Sequence, residues 1–302
     1  MKARRCGCFV LLLAFVGPGC EAGPGSARPK VVTTSLPIYC FTANVAGEFA
    51  SVENLLPANV SPHDYQSSPQ DMRKLSGARI VIASGLGLED WLDRVLQSRS
   101  AHVVDSSSGL GKQRIAADDG HTHSGHDHGH WNPHYWLDPL LAAHAVTNIM
   151  QALQKLDPAN TTGYASNAAA YVERLHKLDN DIRAALAPQK QTAIVTYHDA
   201  FPYFARRYQL EIAGVIEPAP DVDPSPRHLS ELRRLMREKN IQVIFTEKES
   251  APRLAERLRE DFNVKLVPLD PLESGELTPA AYEEGMRRNL DVLKKTFHAP
   301  VP

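Results

Sequence analysis

The chain has 302 residues, 43% hydrophobic and 23% charged, and its 33 Lys and Arg against 35 Asp and Glu leave a formal charge of −2. That length suits two ordinary domains, the composition excludes a disordered tail and a coiled coil, and nothing in the charge balance calls for nucleic acid or an anionic membrane surface as partner. Four cysteines are too few for a disulfide scaffold, while five of the 13 histidines fall between His121 and His130.

Lys2, Arg4 and Arg5 precede the apolar run Phe9 to Val16 and then the small residues Gly17-Pro18-Gly19-Cys20, the order of a secretory signal. The run is too short to span a bilayer, which takes about 20 residues. Residues 1–19 are therefore expected to be a signal peptide, with Cys20 as the lipid attachment site once it is cleaved. Cleavage removes three basic groups and no acid, leaving 30 basic against 35 acidic side chains, a net charge of −5. Residues 20–29, rich in Gly, Pro and Ala, read as a flexible tether. Cys40, within Ile38-Tyr39-Cys40-Phe41, reads as a small buried hydrophobe.

From Lys30 short β-rich runs alternate with segments of helical period. Strands are expected at Val31 to Thr34, Val52 to Leu56, Arg79 to Ala83 and His102 to Val104, with helices near Pro37, at Ser68-Pro69 and around Leu88. A second set has strands at Thr192 to Tyr197, Glu211 to Val215, Gln242 to Thr246 and Lys265 to Leu269, with helices after Asp199, Pro226 and Ala251. Ser68-Pro69, Asp138-Pro139, Asp157-Pro158, Ser225-Pro226 and Thr278-Pro279 each pair an N-cap with proline in the first helical position. Such alternation predicts parallel sheets covered by helices, an α/β fold with one lobe over 30–157 and another over 188–302. Between them, Tyr164, Ala168, Tyr171, Val172, Leu175, Leu178, Ile182 and Leu186 recur at three- and four-residue intervals. That period predicts one long linker helix over 158–187, about 44 Å at 1.5 Å per residue and a poor hinge.

Polar chemistry collects where strands end. His63 follows the second strand, His134 follows the fourth, His198 ends Ile194-Val195-Thr196-Tyr197, and Asp270 ends Lys265 to Leu269. Parallel sheets bind ligands at the carboxyl ends of their strands, so two candidates from each lobe converge on the cleft between the lobes. Three neutral imidazoles and a carboxylate suit Zn²⁺. Each residue also has a plain structural role open to it: a histidine beside a strand end is more often a hydrogen-bonding group than a ligand, and Asp270-Pro271 can simply start a turn. His102, His144, His176, His228 and His298 have no companion motif.

The flanking sequences are Pro62-His63-x-Tyr65 with Ser68-Pro69, Asn132-Pro133-His134-x-Trp136-Leu137-Asp138-Pro139, Thr196-x-His198-x-Ala200-Phe201, Asp223-Pro224-Ser225 and Leu269-Asp270-Pro271-Leu272. Through them the chain resembles, from Val31 to Phe297, the zinc and manganese solute-binding proteins of bacterial ABC transporters, specifically the zinc-uptake branch. The resemblance implies a metal held between two lobes by His63, His134, His198 and Asp270. It implies delivery of Zn²⁺ to an ABC-type membrane permease whose ATPase is a separate chain. The manganese branch carries Glu at the third position, so His198 favours zinc, with Mn²⁺ as the second metal. Ser61 stands where some zinc binders carry an acid.

His121, His123, His126, His128 and His130, interleaved with small polar residues, make a separate histidine-rich loop over 120–130, read as a second and weaker metal-binding feature. The expected molecule is an exported monomer held to the cell envelope or periplasm by a lipid, with no nucleic-acid partner and no enzymatic activity. Alternative functions are a manganese-specific protein of the same fold, an adhesin, or a zinc hydrolase with Asp64 or Asp199 as general base.

Overall fold

The computed structural model describes residues 28–63, 65–66, 68–96, 102–117, 131–217, 224–247 and 252–298. The expected signal peptide, Cys20 and the histidine-rich loop lie outside the described residues. Among those described, no helix is long and apolar enough to cross a membrane.

The first lobe is built from β1 (Lys30–Thr33), α1 (Leu36–Ala46), β2 (Ser51–Asn54), α2 (Pro69–Leu75), β3 (Ile80–Ala83), α3 (Asp90–Leu96) and β4 (His102–Asp105). Its sheet is parallel, in the order β2-β1-β3-β4. The run Ile80-Val81-Ile82-Ala83 is buried throughout, as befits an inner strand covered on both faces. At α2, the Ser68 amide and hydroxyl both donate to Asp71 Oδ2, at 2.6 and 2.8 Å, so the carboxylate three residues into the helix caps its start.

Two helices follow. The first, α4 (Pro139–Leu156), is capped by Asp138 Oδ1, which accepts from Leu140 N at 2.9 Å. The second, α5 (Thr161–Leu186), carries the predicted stripe, with Tyr164, Ala168, Tyr171, Leu175, Leu178, Ile182 and Leu186 all buried. A short 3-10 turn at Pro158–Asn160 precedes it, where the sequence pattern had run the helix on from Pro158.

The second lobe repeats the design with β5 (Ala193–His198), α6 (Pro202–Tyr208), β6 (Glu211–Glu217), α7 (Pro226–Glu238), β7 (Val243–Thr246), α8 (Pro252–Phe262), β8 (Lys265–Pro268) and α9 (Ala281–His298), and its parallel order is β6-β5-β7-β8. The last helix returns to pack on α5 and α1.

That return joins the lobes through one core, which takes Phe41 and Val146 from the first, Tyr171 and Leu175 from α5, and Phe204, Tyr282 and Met286 from the second. Phe41 meets the Tyr282 ring edge-on at 4.9 Å between centroids. Cys40 is buried there, with its Sγ 3.3 Å from Thr278 O. Burial pushes its thiol up to about 12, the state of an inert packing residue.

Polar side chains stitch the same seam. Arg207 of α6 binds Asp179 of α5 through Nε at 2.8 Å and Nη2 at 2.7 Å, and its Nε lies 3.7 Å from Asp138 at the head of α4. Trp136 Nε1 donates to Pro271 O at 2.8 Å, and Tyr282 OH donates to Trp136 O at 2.7 Å. These bonds commit Trp136 and Asp138 of the Asn132-to-Pro139 motif to holding the lobes together.

Candidate metal centre

Each lobe delivers side chains to the cleft from the carboxyl ends of its strands. His63 lies in the segment after β2, His134 just before a 3-10 turn (Tyr135–Leu137), His198 at the end of β5, and Glu273 in the loop after β8. Ligand atoms of these four lie within 4.8 Å of one another. The imidazole centroids are 5.2 Å apart for His63 and His134, 5.5 Å for His63 and His198, and 4.8 Å for His134 and His198.

Asp270, expected as the fourth ligand, does not belong to this group; Glu273, three residues later, supplies its carboxylate. The reason is local. Asp270 Oδ1 accepts from Leu272 N at 2.8 Å, the self-capping turn that an Asp-Pro sequence favours, and Leu272 adopts φ 62°. The turn commits Asp270 to its own loop and carries Glu273 to the histidines. Both acids follow the last strand in the sequence, and Asp270-Pro271 as a turn is the plain reading that prevails. His144 and His228 sit apart, bound to the backbone carbonyls of Ser108 and Val215.

Outer partners fix which ring nitrogen faces the group. Asn132 Oδ1 accepts from the backbone N–H of His134 at 3.0 Å, which orients the amide, and lies 3.0 Å from His134 Nδ1. Nδ1 therefore carries the proton and Nε2 turns inward, 2.6 Å from Glu273 Oε1 and 3.2 Å from His63 Nε2. Burial pushes the His134 imidazole down to about 3, so the ring is neutral. A lone pair on Nε2 facing a carboxylate oxygen at that distance repels unless a cation, proton or metal, sits between them.

Glu247, which follows β7, takes His198 Nδ1 at 2.5 Å and leaves Nε2 as the nitrogen that can bind a metal once its proton is lost. Burial pushes the His198 ring down, but the carboxylates of Glu247, Glu273 and Asp199 outweigh it and lift the ring to about 9. Ser61 Oγ donates to Glu273 Oε2 at 3.2 Å, so the serine at this position orients the carboxylate. Asn132 Nδ2 donates across the cleft to Asp199 O at 2.6 Å and Oδ2 at 3.0 Å, tying the two histidine loops together. Glu247 escaped the sequence reading although it obeys the same rule of strand-end placement as His198.

Comparison with known proteins gives the family. The family described as zinc-uptake complex component A, periplasmic, matches residues 31–296. The high-affinity zinc uptake system protein ZnuA of Bacillus subtilis is 31% identical over 308 residues, covering 96% of this chain and 95% of its own length. Zinc-binding protein AdcA of Streptococcus pyogenes is 33% identical over 294 residues, 89% of this chain but 56% of its own, so the chain spans just over half of that relative. Among solved structures, the solute-binding protein FpvC of Pseudomonas aeruginosa in complex with Mn²⁺ superposes with a TM-score of 0.76 at 30% identity, over 89% of this chain and 97% of that one. The chain belongs to the zinc-uptake complex component A family.

Proposed function

We propose that this member of the zinc-uptake component A family carries one Zn²⁺ ion on His63, His134, His198 and Glu273 and delivers it to an ABC-type membrane permease driven by a separate ATPase. The carrying observation is the convergence of three imidazoles and one carboxylate within 4.8 Å. Zinc accepts four such donors in a closed tetrahedral site, whereas a hydrolase keeps three protein ligands and an open water position. Four donors favour carriage over catalysis. The basic, apolar and small-residue order of residues 1–20 supports export and anchoring through Cys20.

Zinc over manganese follows from the donors. Imidazole suits zinc, and Mn²⁺ stands at the weak end of the first-row affinity order. Elemental analysis of the purified protein, followed by competition titration with both ions, is expected to show zinc bound and bound more tightly. His198→Glu, which substitutes a hard oxygen donor, narrows that preference. Equal or tighter manganese binding by the unaltered protein refutes the zinc assignment.

The histidine-rich segment is assigned a different role, as a weaker site for capture. Deleting residues 120–129 is expected to remove low-affinity zinc equivalents in calorimetry and to preserve the tight phase. Disappearance of the tight phase would merge the two sites into one.

A further inference from the structure

We propose that one face of the C-terminal helix α9 is the mould that sets the metal-binding carboxylate, with Asn289 and Gly285 as positioning residues for Glu273; this rests on the reading of Glu273 as a zinc donor. The turn that presents Glu273 is conformationally unfavourable in isolation. Leu272 holds φ 62° and is 1% exposed, and a leucine keeps a left-handed backbone only where its surroundings over-determine it.

Helix α9 provides that determination. Asn289, 3% exposed, grips the backbone of Asp270 twice: its Oδ1 accepts from Asp270 N at 2.9 Å and its Nδ2 donates to Asp270 O at 2.6 Å. Asp270 Oδ1 in turn fixes Leu272 N, and Trp136 Nε1 fixes Pro271 O between them. One helical turn before Asn289, on the same face, stands Gly285, where a Cβ would overlap the side chain of Leu272. The glycine leaves the space that Leu272 fills. Asn289 and Gly285 thus hold the residues on either side of Pro271, and Glu273 follows directly.

Asp270 acts through this turn, and what the turn needs from it is a side-chain acceptor. Asn supplies the same acceptor. Asp270→Asn is therefore expected to keep zinc affinity within about twofold, an outcome that direct ligation forbids.

The test is a double-mutant cycle on the full chain, with Zn²⁺ affinity read by chelator competition and the ligand field by the absorption of bound Co²⁺. Asn289→Ala and Gly285→Ala are each expected to weaken zinc about tenfold, because the turn that aims Glu273 loses its support. Their Co²⁺ spectra should move toward that of Glu273→Ala. In the Glu273→Ala background each should change affinity less than twofold, because the group they position is gone. Gly285→Ala guards against a folding artefact, since alanine's helix preference offsets part of the cost of displacing Leu272, and the metal-free variant should lose only a few degrees in melting temperature and keep a cooperative transition. If Asn289→Ala does not fold, Gly285→Ala decides alone. Wild-type affinity in both α9 variants, or the same loss with and without Glu273, overturns the proposal. So does an Asp270→Asn loss as large as that of Glu273→Ala. Unchanged zinc affinity in Glu273→Ala alone overturns the site reading itself, and that result needs no α9 variant.

Discussion

Replacing His134 with alanine is expected to weaken zinc binding by more than about a hundredfold, since even outer-sphere partners of metal ligands are worth about 10- to 100-fold. Several constraints meet at this ring. It is 1% exposed, its Nδ1 is tied to Asn132, its Nε2 faces Glu273 and His63, and its ring meets that of Trp136 in an edge contact at 5.2 Å between centroids. Alanine removes one donor and leaves Glu273 with His63 as its remaining imidazole contact at 3.2 Å. The inter-lobe bonds of Trp136 and Asp138 involve neither ring nitrogen, so the fold should survive, and circular dichroism of the metal-free variant can verify it. Competition titration then reads the loss; tight binding retained by His134→Ala would remove this residue from the site.

Arg207→Ala is expected to cost up to about 3 kcal/mol of stability in denaturant unfolding, the low end of the range for stripping one partner from a buried ion pair, because Arg183 still faces Asp179. The Asp179 side chain is 4% exposed, and without Arg207 its side-chain partners among the described residues are Tyr208 OH at 3.2 Å and the more exposed Arg183 at 3.3 Å. Acid sharpens the test. Burial pushes the Asp179 carboxyl up, but Arg207 and Arg183 outweigh it and hold the group below its ordinary value. A depressed carboxylate contributes stability in full above its unfolded value of about 3.9 and loses that contribution as pH falls through the lower folded value. Without Arg207 burial meets less opposition, the folded value rises, and the charged form becomes a liability that acid relieves. The gap between the two proteins should therefore narrow below about pH 4, and a gap that stays constant down to pH 3 would place the cost elsewhere.

The strands were legible because each is a short apolar run between turn signals, and Ile80 to Ala83 shows why: both faces are covered, so nothing polar interrupts it. The three histidines were legible for a related reason, since strand ends in parallel sheets aim at one edge and the topology brings those edges together. The carboxylate was not. Asp270 and Glu273 lie three residues apart after the same strand, and the choice between them depends on the backbone of Leu272, which side chains of α9 and Trp136 stabilise from distant parts of the chain. Nor could the helical period of α9 reveal its partners, because packing on α5 and α1 demands the same apolar stripe as packing on its own sheet. The proline-rich motif around His134 pointed to the site but concealed its second use, the bonds from Trp136 and Asp138 across the seam.

That seam bears on the rates of exchange. With Trp136, Tyr282 and Arg207 bridging the lobes and one core running through both, the backbone that carries the donors is tied down, and binding an ion is left to adjustments of the side chains. Capture then requires little ordering of the chain, so the ligand bonds are not offset by lost conformational entropy. Differences in affinity among variants will appear chiefly as differences in dissociation rate. If the chain carries zinc as proposed, release becomes the demanding half of the exchange: among the described residues the lobes share one core, so the ion leaves by parting from its donors one at a time.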